Sequence, residues 1–405
     1  MAKTITIILI VFTFSVVYAQ ENDSIVKNGI DNPNLLGLHH FGIFSSRLVS
    51  NFKKQAPKHS SININYSSGN IFHPFVEAYF PEDPETRKKQ NEVIWYHRNF
   101  RFVDQETTPA EYMNILVDAV IKEFKLNVTI PISNNQEVNI ALRTHVFSKG
   151  KYPFSIFTSD EFIEWTHSYI IGKEDPYGRR YYGLNKTNFE YLDRHGKTVD
   201  LHNNDFLING LEFSHYIYPE LNWNKKHNIY LNFGTHLGVN TSKYNNSLDI
   251  GFSANGLKTI PLKNNYRFDI GIGFNLLRKN IINFKSPVDF GNNAYLGTGE
   301  GDLEITKFTR KNTYHAFGVN YQIQSRYNKK EEASYYQLFG KWQEIRGGWH
   351  HGVSTLYKTL SYWSFIYTYG RNNLKLSIYL KEDLLVNNAP DLQTGINLKW
   401  PIFNL

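Results

Sequence analysis

The chain has 405 residues, with 44 Lys and Arg, 37 Asp and Glu, 29 Phe, 27 Tyr, 7 Trp and no Cys. The absence of Cys excludes a disulfide scaffold, thiolate catalysis and cysteine-ligated zinc. A mean hydropathy of −0.44 excludes a bundle of membrane-spanning helices, and the aromatic content argues against disorder. A soluble β-rich or mixed protein and a membrane β-barrel remain.

The first 19 residues have the three parts of a secretory signal peptide. Lys3 supplies the positive charge, residues 5–17 form the apolar stretch, and cleavage is predicted between Ala19 and Gln20. The mature protein is therefore expected outside the cytoplasm. The chain has a net positive charge, but its basic residues form no run with interleaved aromatic residues, so we expect no nucleic acid partner.

Helix-sized apolar stretches are missing after the signal, and the second half of the chain alternates apolar with polar residues instead. In the segment 266–276, Tyr266, Phe268, Ile270 and their successors share one face, and the other face carries charged residues, Gly and Asn. Successive side chains of a strand point to opposite sides of a sheet, so each such segment is predicted to be a strand with one apolar face. The same pattern recurs in segments near residues 229–237, 248–254, 317–323, 363–369, 374–380 and 396–402.

Three features favour a membrane barrel over a secreted sandwich. The segments are about ten residues long, as a tilted strand crossing a bilayer requires, and their second face is polar enough for a wet lumen. Aromatic residues also cluster near the segment ends, as in interfacial girdles. These aromatics are Tyr314, Tyr335, Tyr336, Trp342, Tyr362, Trp363 and Trp400. The expected fold is all-β: an antiparallel transmembrane β-barrel of about 12 strands, with 14 as the alternative, and one or two short loop or plug helices.

The domain plan follows from these assignments. We predict a signal peptide at 1–19, an N-terminal segment at 20–58, and the barrel at 59–405 with long loops at about 148–185 and 280–312. Short links, such as 263–265 and 328–332, alternate with longer ones. Because outer-membrane barrels have short periplasmic turns and long outer loops, this alternation leaves the C-terminus in the periplasm.

The first half of the chain is less regular. Thr108-Pro109-Ala110-Glu111 is a capping box and predicts a helix with apolar residues from Met113 to Phe124 at helical spacing, although the same stretch also alternates like a strand. Further predicted elements are strands at 61–66 and 72–80, a hairpin of 124–132 with 137–147, a short helix at 159–169, and a hairpin of 188–193 with 198–202.

The region from Phe102 to Asn185 resembles an uncharacterised Gram-negative family, domain of unknown function 3187. The residues that carry the resemblance begin with Asp104 and Glu106. Asp160, Ile163, Glu164, Trp165 and His167 follow in the short helix, and Pro176, Gly178, Arg179 and Arg180 lie in the next loop. The resemblance implies an outer-membrane β-barrel with no established activity. It assigns no role to Asp160, Glu164, His167, Arg179 or Arg180.

Catalytic and metal-binding signals are weak. Glu164 and His167 have the spacing of two ligands on one helical face, but one pair is too few for a metal site. A lipid-acting hydrolase would require a Ser, a His and an orienting acid, for which His215, His236, His315, Ser214 and Ser253 are available without a nucleophile motif. We therefore predict no catalytic, cofactor-binding or metal-binding residues.

The polar faces of the predicted strands supply the candidate site. Six charged residues are expected to line the lumen: Arg267, Asp269, Asp249, Lys375, Lys381 and Lys399. We expect an outer-membrane protein that acts as a water-filled or partly plugged pore for small solutes, with a weak preference for anions. A lipid-acting hydrolase and a secreted or periplasmic β-sandwich binding protein are the alternatives. The expected partners are outer-membrane lipid, lipopolysaccharide and the barrel-assembly machinery.

Overall fold

The computed structural model describes residues 27–33, 37, 39–80, 111–150, 155, 157–171, 183–193, 195–309, 313–328, 359–371, 374–383 and 392–402. Fourteen strands lie in these ranges. They are β1 (Ser61–Phe80), β2 (Glu111–Ser133), β3 (Gln136–Ser148), β4 (Asn188–Leu192), β5 (Thr198–His202), β6 (Phe206–Ile217), β7 (Ile229–Ser242), β8 (Asn245–Pro261), β9 (Tyr266–Asn283), β10 (Tyr295–Phe308), β11 (Thr313–Gln324), β12 (Leu360–Arg371), β13 (Leu374–Glu382) and β14 (Leu392–Pro401).

Twelve of these strands form a closed antiparallel ring. Each strand from β6 to β14 pairs with the next, β2 pairs with β3, and β3 pairs with β6. The ring closes at β1, which pairs with both β14 and β2; Ser61 lies opposite Pro401 on one side and Thr129 on the other. The prediction of an antiparallel barrel with about 12 strands is confirmed.

The two remaining strands form a hairpin outside the ring. The part of β2 that pairs with β4, Asn114 to Asp118, lies beyond the end of its pairing with β3, and β5 pairs only with β4. The sequence left open whether this β4–β5 hairpin crosses the membrane. Its position on the extension of β2 places it beyond the end of the barrel.

Few helices interrupt the strands. A 3₁₀ helix spans His40–Phe44, α1 spans Asp160–Trp165 and continues as a π-helical stretch at Thr166–Ile171, and α2 spans Asn222–His227. Ser159 caps α1 by accepting a hydrogen bond from the Phe162 backbone N–H. None of the helices described reaches the length and apolar character needed to cross a membrane.

The outer and inner faces of the barrel have opposite chemistry. The outer face presents exposed apolar side chains, among them Phe233, Phe252, Ile272, Phe274, Phe317, Phe365, Ile378 and Ile396. The inner face is buried and polar, with Asn232, Asp249, Asp269, Asn320, Ser364 and Thr368 among its residues. A soluble protein would bury the first set and expose the second, so this inversion is that of a membrane-spanning barrel.

Phe274, near the middle of β9 and 65% exposed, allows a direct test of the membrane-facing surface. We expect Phe274→Arg to destabilise the barrel by about 2–4 kcal/mol, because a charge on the lipid face near mid-depth must be desolvated. Urea titration of the protein folded into phospholipid vesicles measures this cost, with Phe274→Leu as the control. Equal stability of the Arg and Leu variants would show that the position faces water.

The two ends of the barrel differ in their connections. One, here called the turn end, carries Ser61, Pro401 and the short connections at 134–135, 262–265 and 309–312. The other, here called the loop end, carries the connections at 149–187, 284–294 and 325–359. In outer-membrane barrels the short turns face the periplasm.

Three expectations are wrong. The predicted long loop at 280–312 contains a complete strand, β10, so that only residues 284–294 connect β9 to β10. The stretch from Met113 to Phe124 belongs to strand β2 and is not a helix. Of the link predicted as a periplasmic turn at 328–332, only Asn328 is among the described residues, and it lies at the loop end beside Asn292.

Two of the aromatic residues assigned to interfacial girdles also lie elsewhere. Tyr314 and Tyr362 are 1% and 0% exposed, and Tyr314 donates a hydrogen bond to Asp31 inside the barrel. Trp363 is exposed on the outer side of β12, where a girdle residue is expected. Tyr335, Tyr336 and Trp342 lie outside the described residues.

Candidate functional site: the barrel lumen and the hairpin inside it

A hairpin formed by residues 27–33, 37 and 39–57, here called the lumen hairpin, occupies the interior of the barrel. Its limbs pair at the turn end, where Ile30 N donates to Phe52 O (3.1 Å) and the Asn28 side chain to Gln55 O (2.7 Å). The 3₁₀ helix His40–Phe44 forms its tip, and Asn245 at the loop end donates to Phe44 O (2.7 Å). The hairpin therefore enters from the turn end and reaches the loop end.

Ion pairs hold the base of the lumen hairpin. Lys27, fully buried, pairs with Glu304 of β10 and with Asp31 (3.1 Å). Asp31 also pairs with Lys375 of β13 (2.5 Å). Arg267 of β9 donates to the backbone carbonyl of Lys27 (3.0 Å). Charged side chains of three strands, β9, β10 and β13, thus contact residues 27–31 at the base of the hairpin.

Carboxylates of the wall bind backbone N–H groups of residues 45–57, the limb that runs from the tip back to the turn end and is here called the descending limb. The donor and acceptor pairs are Ser46 with Asp249 (2.8 Å), Arg47 with Glu212 (2.9 Å) and Ser50 with Glu300 (3.2 Å). Irregular backbone requires partners for its N–H groups inside a barrel. The wall supplies them, which fixes the height of the hairpin in the lumen.

Further polar contacts reach the limb from β3. Glu137 pairs with Lys53 (2.6 Å) and accepts a hydrogen bond from Asn51 (3.1 Å). Arg143 donates to the Ser45 carbonyl and to Asn240 (2.8 Å). The contacts between hairpin and wall are thus largely ionic or hydrogen-bonded below the tip.

Glycines on the inner face of β7–β9 make room for the hairpin. A methyl group added at any of four of them would lie 2.6–2.8 Å from the nearest carbon atom of a hairpin side chain, closer than real Cβ contacts allow. The pairs are Gly238 with Ser46, Gly251 with Leu48, Gly271 with Phe52 and Gly273 with Ser50.

This close approach predicts that Gly273→Val displaces the hairpin, because the new Cβ would lie 2.6 Å from Ser50 Cβ. We expect higher ion conductance in planar bilayers and faster proteolysis of the hairpin, with the barrel still folded. Gly301→Val on β10 is the matched control, since nothing lies within 4 Å of its added Cβ. Identical conductance of the two variants would contradict the steric role of the glycine.

The tip of the hairpin lies in an aromatic cluster at the loop end. Phe44 stacks on Phe290 with 4.2 Å between ring centroids and meets the edges of Phe189 and Tyr244 (both 5.7 Å). Phe189 belongs to the β4–β5 hairpin, and Val199 and Leu201 of β5 join the same buried cluster. The β4–β5 hairpin and the 284–294 loop therefore cover the tip of the lumen hairpin.

The six charged residues expected in the lumen all lie on inward-facing positions. Arg267, Lys375 and Asp249 contact the hairpin directly, and Asp269 accepts a hydrogen bond from Arg267 (2.6 Å). Lys381 is buried with its ammonium group 4.7 Å from the ring centre of Tyr362. Lys399 is half-buried and lies opposite Lys375 at the turn end.

The residues named by the family resemblance lie apart from the lumen. Asp160 is buried between β1 and the 183–187 segment, where it accepts hydrogen bonds from Asn70 (2.9 Å) and Asn185 N (2.7 Å). Glu164 is buried and His167 half-buried in the same helical segment. Arg179 and Arg180 lie outside the described residues. Asp160 thus anchors α1 to the outer side of the β1–β2 extension.

The structure brings together one Ser–His group. His236 of β7 lies between Ser214 (2.8 Å) and Ser253 (2.9 Å), both on inward-facing positions. A hydrolytic triad requires an acid or amide behind the imidazole, and here the second ring nitrogen faces another serine. The group is also separated from outer-leaflet lipid by the barrel wall, so its geometry does not favour a lipid hydrolase. Within the described ranges, no cluster of three His, Asp or Glu side chains could hold a metal ion.

No family model matches the sequence, and no curated protein matches it either. The resemblance to domain of unknown function 3187 therefore stays a prediction. Among solved structures, the COG4313 outer membrane channel from Pseudomonas putida F1 is similar, at 8% identity and a TM-score of 0.38 over 88% of this chain and 100% of that one.

Two further barrels match at 8% identity. The NanC porin has a TM-score of 0.34, covering 70% of this chain and 94% of its own. LpxR from Salmonella typhimurium has a TM-score of 0.35, covering 84% and 100%. The fold assignment rests on the closed strand ring and its inverted faces. This chain is an outer-membrane-type β-barrel.

Sequence reasoning missed the lumen hairpin, which it treated only as the N-terminal segment 20–58. The hairpin has no alternation of its own, and its conformation depends on partners in ten different strands. One signal was available. Small residues recur on the polar faces of β7–β9, at Gly238, Gly251, Gly271 and Gly273, and closely spaced glycines indicate that another backbone approaches.

Proposed function

We propose that the protein is an outer-membrane channel for small polar solutes that the lumen hairpin keeps closed. The observation that carries this proposal is the chemistry of the hairpin's contacts: below the tip, the lumen wall binds it through carboxylates, ammonium groups and amides. Water and polar solutes can replace such contacts when the hairpin withdraws.

The lumen walls have a distribution of charge suited to conduction. Acidic side chains (Glu212, Asp249, Glu300 and Glu304) lie on β6, β8 and β10, and basic ones (Lys375, Lys381 and Lys399) on β13 and β14. The acidic side also carries basic groups: Arg267 and Lys279 lie on inward positions of β9, and Glu212 is paired with Lys125 of β2 and Arg143 of β3. The wall therefore carries both signs of charge and does not support a simple preference for anions.

The path of the hairpin defines how the channel would open. Only its C-terminal limb continues into the barrel, at β1, and its base lies at the turn end, which faces the periplasm in barrels of this type. The tip is covered by the β4–β5 hairpin. Opening therefore requires the hairpin to withdraw towards the periplasm after its tip leaves the aromatic cluster.

A disulfide lock tests the proposal, because the wild-type chain contains no Cys. Leu48 Cδ1 lies 2.6 Å from the position of an added Cβ at Gly251, so that the shorter side chains of Leu48→Cys and Gly251→Cys would place two sulfurs within bonding reach. We expect the oxidised double variant to show no opening steps under a voltage ramp, and the reduced protein to open as the wild type does.

The two single-cysteine variants are the controls for the lock, and they should open under both oxidising and reducing conditions. Opening steps in the oxidised double variant that are as frequent as those of the wild type under the same voltage ramp would mean that ions bypass the hairpin, and the proposal would be wrong. As for partners, we propose outer-membrane lipid and lipopolysaccharide around the apolar outer face, and the barrel-assembly machinery during insertion.

A further inference from the structure

A small cavity lies between the descending limb of the lumen hairpin and the wall formed by β9–β11. Its volume is about 30 Å³, enough for one or two water-sized species. The residues that line its polar side are Ser46, Arg47, Thr298, Gln322 and Gln324. No carboxylate is among the described residues that line it.

Arg47 brings a positive charge into this cavity. Both terminal nitrogens of its guanidinium, Nη1 and Nη2, are buried and have no hydrogen-bond partner within the described part of the chain. A guanidinium has five N–H donors, and leaving them unbonded in a buried place is costly. The backbone N–H of the same residue is bound to Glu212, so the side chain is held in position by the wall.

Other groups around Arg47 add donors and charge. The Gln324 amide adds a second buried donor group and also interacts with the Tyr327 hydroxyl beside the cavity, and Lys381 is close enough to repel Arg47 electrostatically. Of the two carboxylates nearby, Glu300 has other partners: it accepts hydrogen bonds from Asn32 (2.5 Å), Ser50 N (3.2 Å) and Asn320 (2.7 Å). Glu123 attracts Arg47 electrostatically without forming an ion pair with it, and Glu123 Oε2 is buried with no hydrogen-bond partner in the described ranges.

We propose that this cavity is an anion-binding site in which the Arg47 guanidinium and the Gln324 amide bind a small anion, either a halide ion or the carboxylate group of a small solute. The volume admits one such group and excludes large anions. The site belongs to the closed barrel, because the hairpin supplies its central cation. It goes beyond the proposed channel and does not depend on whether the hairpin moves.

Bromide is a suitable probe, since its anomalous scattering locates it in crystals and it is close in size to chloride. Crystals of the full chain soaked in sodium bromide are expected to show an anomalous peak beside Arg47 Nη1 and Nη2. In solution, bromide should raise the thermal unfolding midpoint relative to sodium gluconate at equal ionic strength, because binding to the folded state stabilises it. Sodium formate, which supplies a carboxylate, should raise the midpoint as bromide does. If only one of the two anions raises the midpoint, the site binds the class to which that anion belongs, halide or carboxylate.

Three variants separate the site from general salt effects. Arg47→Gln is expected to lose the peak and the bromide-dependent shift. Lys54→Gln, which removes the same charge from the hairpin outside the cavity, is expected to keep both. If Arg47→Gln does not fold, Gln322→Glu provides the test: it places a carboxylate in the cavity, so it should exclude bromide and need no anion for full stability.

The proposal fails if the wild type shows no bromide peak at Arg47, or if the peak and the thermal shift persist in both Arg47→Gln and Gln322→Glu. Neither result would bear on the channel, whose test is conductance of the cysteine-locked barrel. Conversely, a barrel that never conducts could still bind bromide at Arg47.

Discussion

Deleting residues 24–57 is expected to convert a closed barrel into a conducting one. The deletion keeps the predicted signal cleavage site and begins the folded part close to β1 at Ser61. The lumen would then lose the hairpin that fills it, and buried wall residues such as Glu212, Asp249 and Glu300 would meet water. Single-channel recording in planar bilayers should show discrete steps where the wild type is nearly silent.

The deletion requires a check that the barrel is intact. Heat-modifiable mobility in detergent gels should be retained, because the ring is closed by backbone pairing of β1 with β14 and β2, in which the hairpin takes no part. A heat-modifiable deletion variant without conductance steps would contradict the channel. A steady leak without steps, together with lost heat modifiability, would show instead that the hairpin is a structural core of the barrel.

Asp31→Asn is expected to release the base of the lumen hairpin without unfolding the barrel. Asp31 bonds with Lys27 (3.1 Å), Lys375 (2.5 Å) and Tyr314 (2.8 Å), and the side chain of Lys27 is completely buried. Removing one partner of a buried ion pair typically costs about 3–5 kcal/mol, because the remaining charges are left uncompensated. We expect this loss to appear as hairpin detachment, measured by limited proteolysis in the hairpin and by more frequent conductance steps.

The control for this variant is Asp200→Asn, which removes an exposed carboxylate from β5 that forms an ion pair with the exposed His202. It should behave as the wild type does. Equal proteolysis rates for Asp31→Asn and Asp200→Asn would show that the ion pairs at the base contribute little to closure.

The charge state of Asp31 also predicts how closure depends on pH. Burial alone would raise the pKa of Asp31, but the Lys27 and Lys375 ammonium groups outweigh burial and hold that pKa below its usual range. A carboxyl group with a lowered pKa in the folded state stabilises the fold above its unfolded pKa of about 3.9, and this contribution is lost as the pH falls through the folded value. Proteolysis of the hairpin should therefore be unchanged between pH 7 and pH 5.

The barrel could be predicted from sequence where its outer face is strongly apolar. β9 carries Phe268, Ile270, Ile272, Phe274 and Leu276 on alternate positions, and the alternation defines both its faces. The hairpin of β2 with β3 was visible for the same reason, together with the tight turn at 134–135. Contact with lipid requires apolar side chains on the outer face, so every strand whose outer face carries large side chains shows this alternation.

β10 escaped prediction because its outer face lacks such side chains. After Tyr295, its next three outward positions are Gly297, Gly299 and Gly301, and aliphatic residues follow only at Leu303 and Ile305. Alternating glycines and acidic residues are typical of a loop, so the sequence pattern assigned this strand to the predicted loop at 280–312. The error for β2 had the opposite cause: near Val117 and Ile121 the strand extends beyond the membrane, and the burial of both faces removes the contrast on which alternation depends.

The lumen hairpin could not be predicted from its own residues. Its backbone N–H groups are bound by Glu212, Asp249 and Glu300, which are 165 to 250 residues away in the chain. Local propensity carries no information about such partners. The sequence pattern placed the charged wall residues on a polar face. It did not show that these residues bind another segment of the same chain, which is evident only in the folded barrel.

The position of the lumen hairpin immediately before β1 has a consequence for biogenesis. The ring closes where β1 pairs with β14, with Ser61 opposite Pro401. The barrel therefore cannot close before its last strand is in place. Its place in the chain puts the hairpin ahead of the strands whose carboxylates bind it, such as Glu212, Asp249 and Glu300. A partly assembled sheet would therefore have a partner for these three carboxylates as each strand is added. In the proposed channel, the segment that keeps the lumen closed would also be the internal support on which the barrel is assembled.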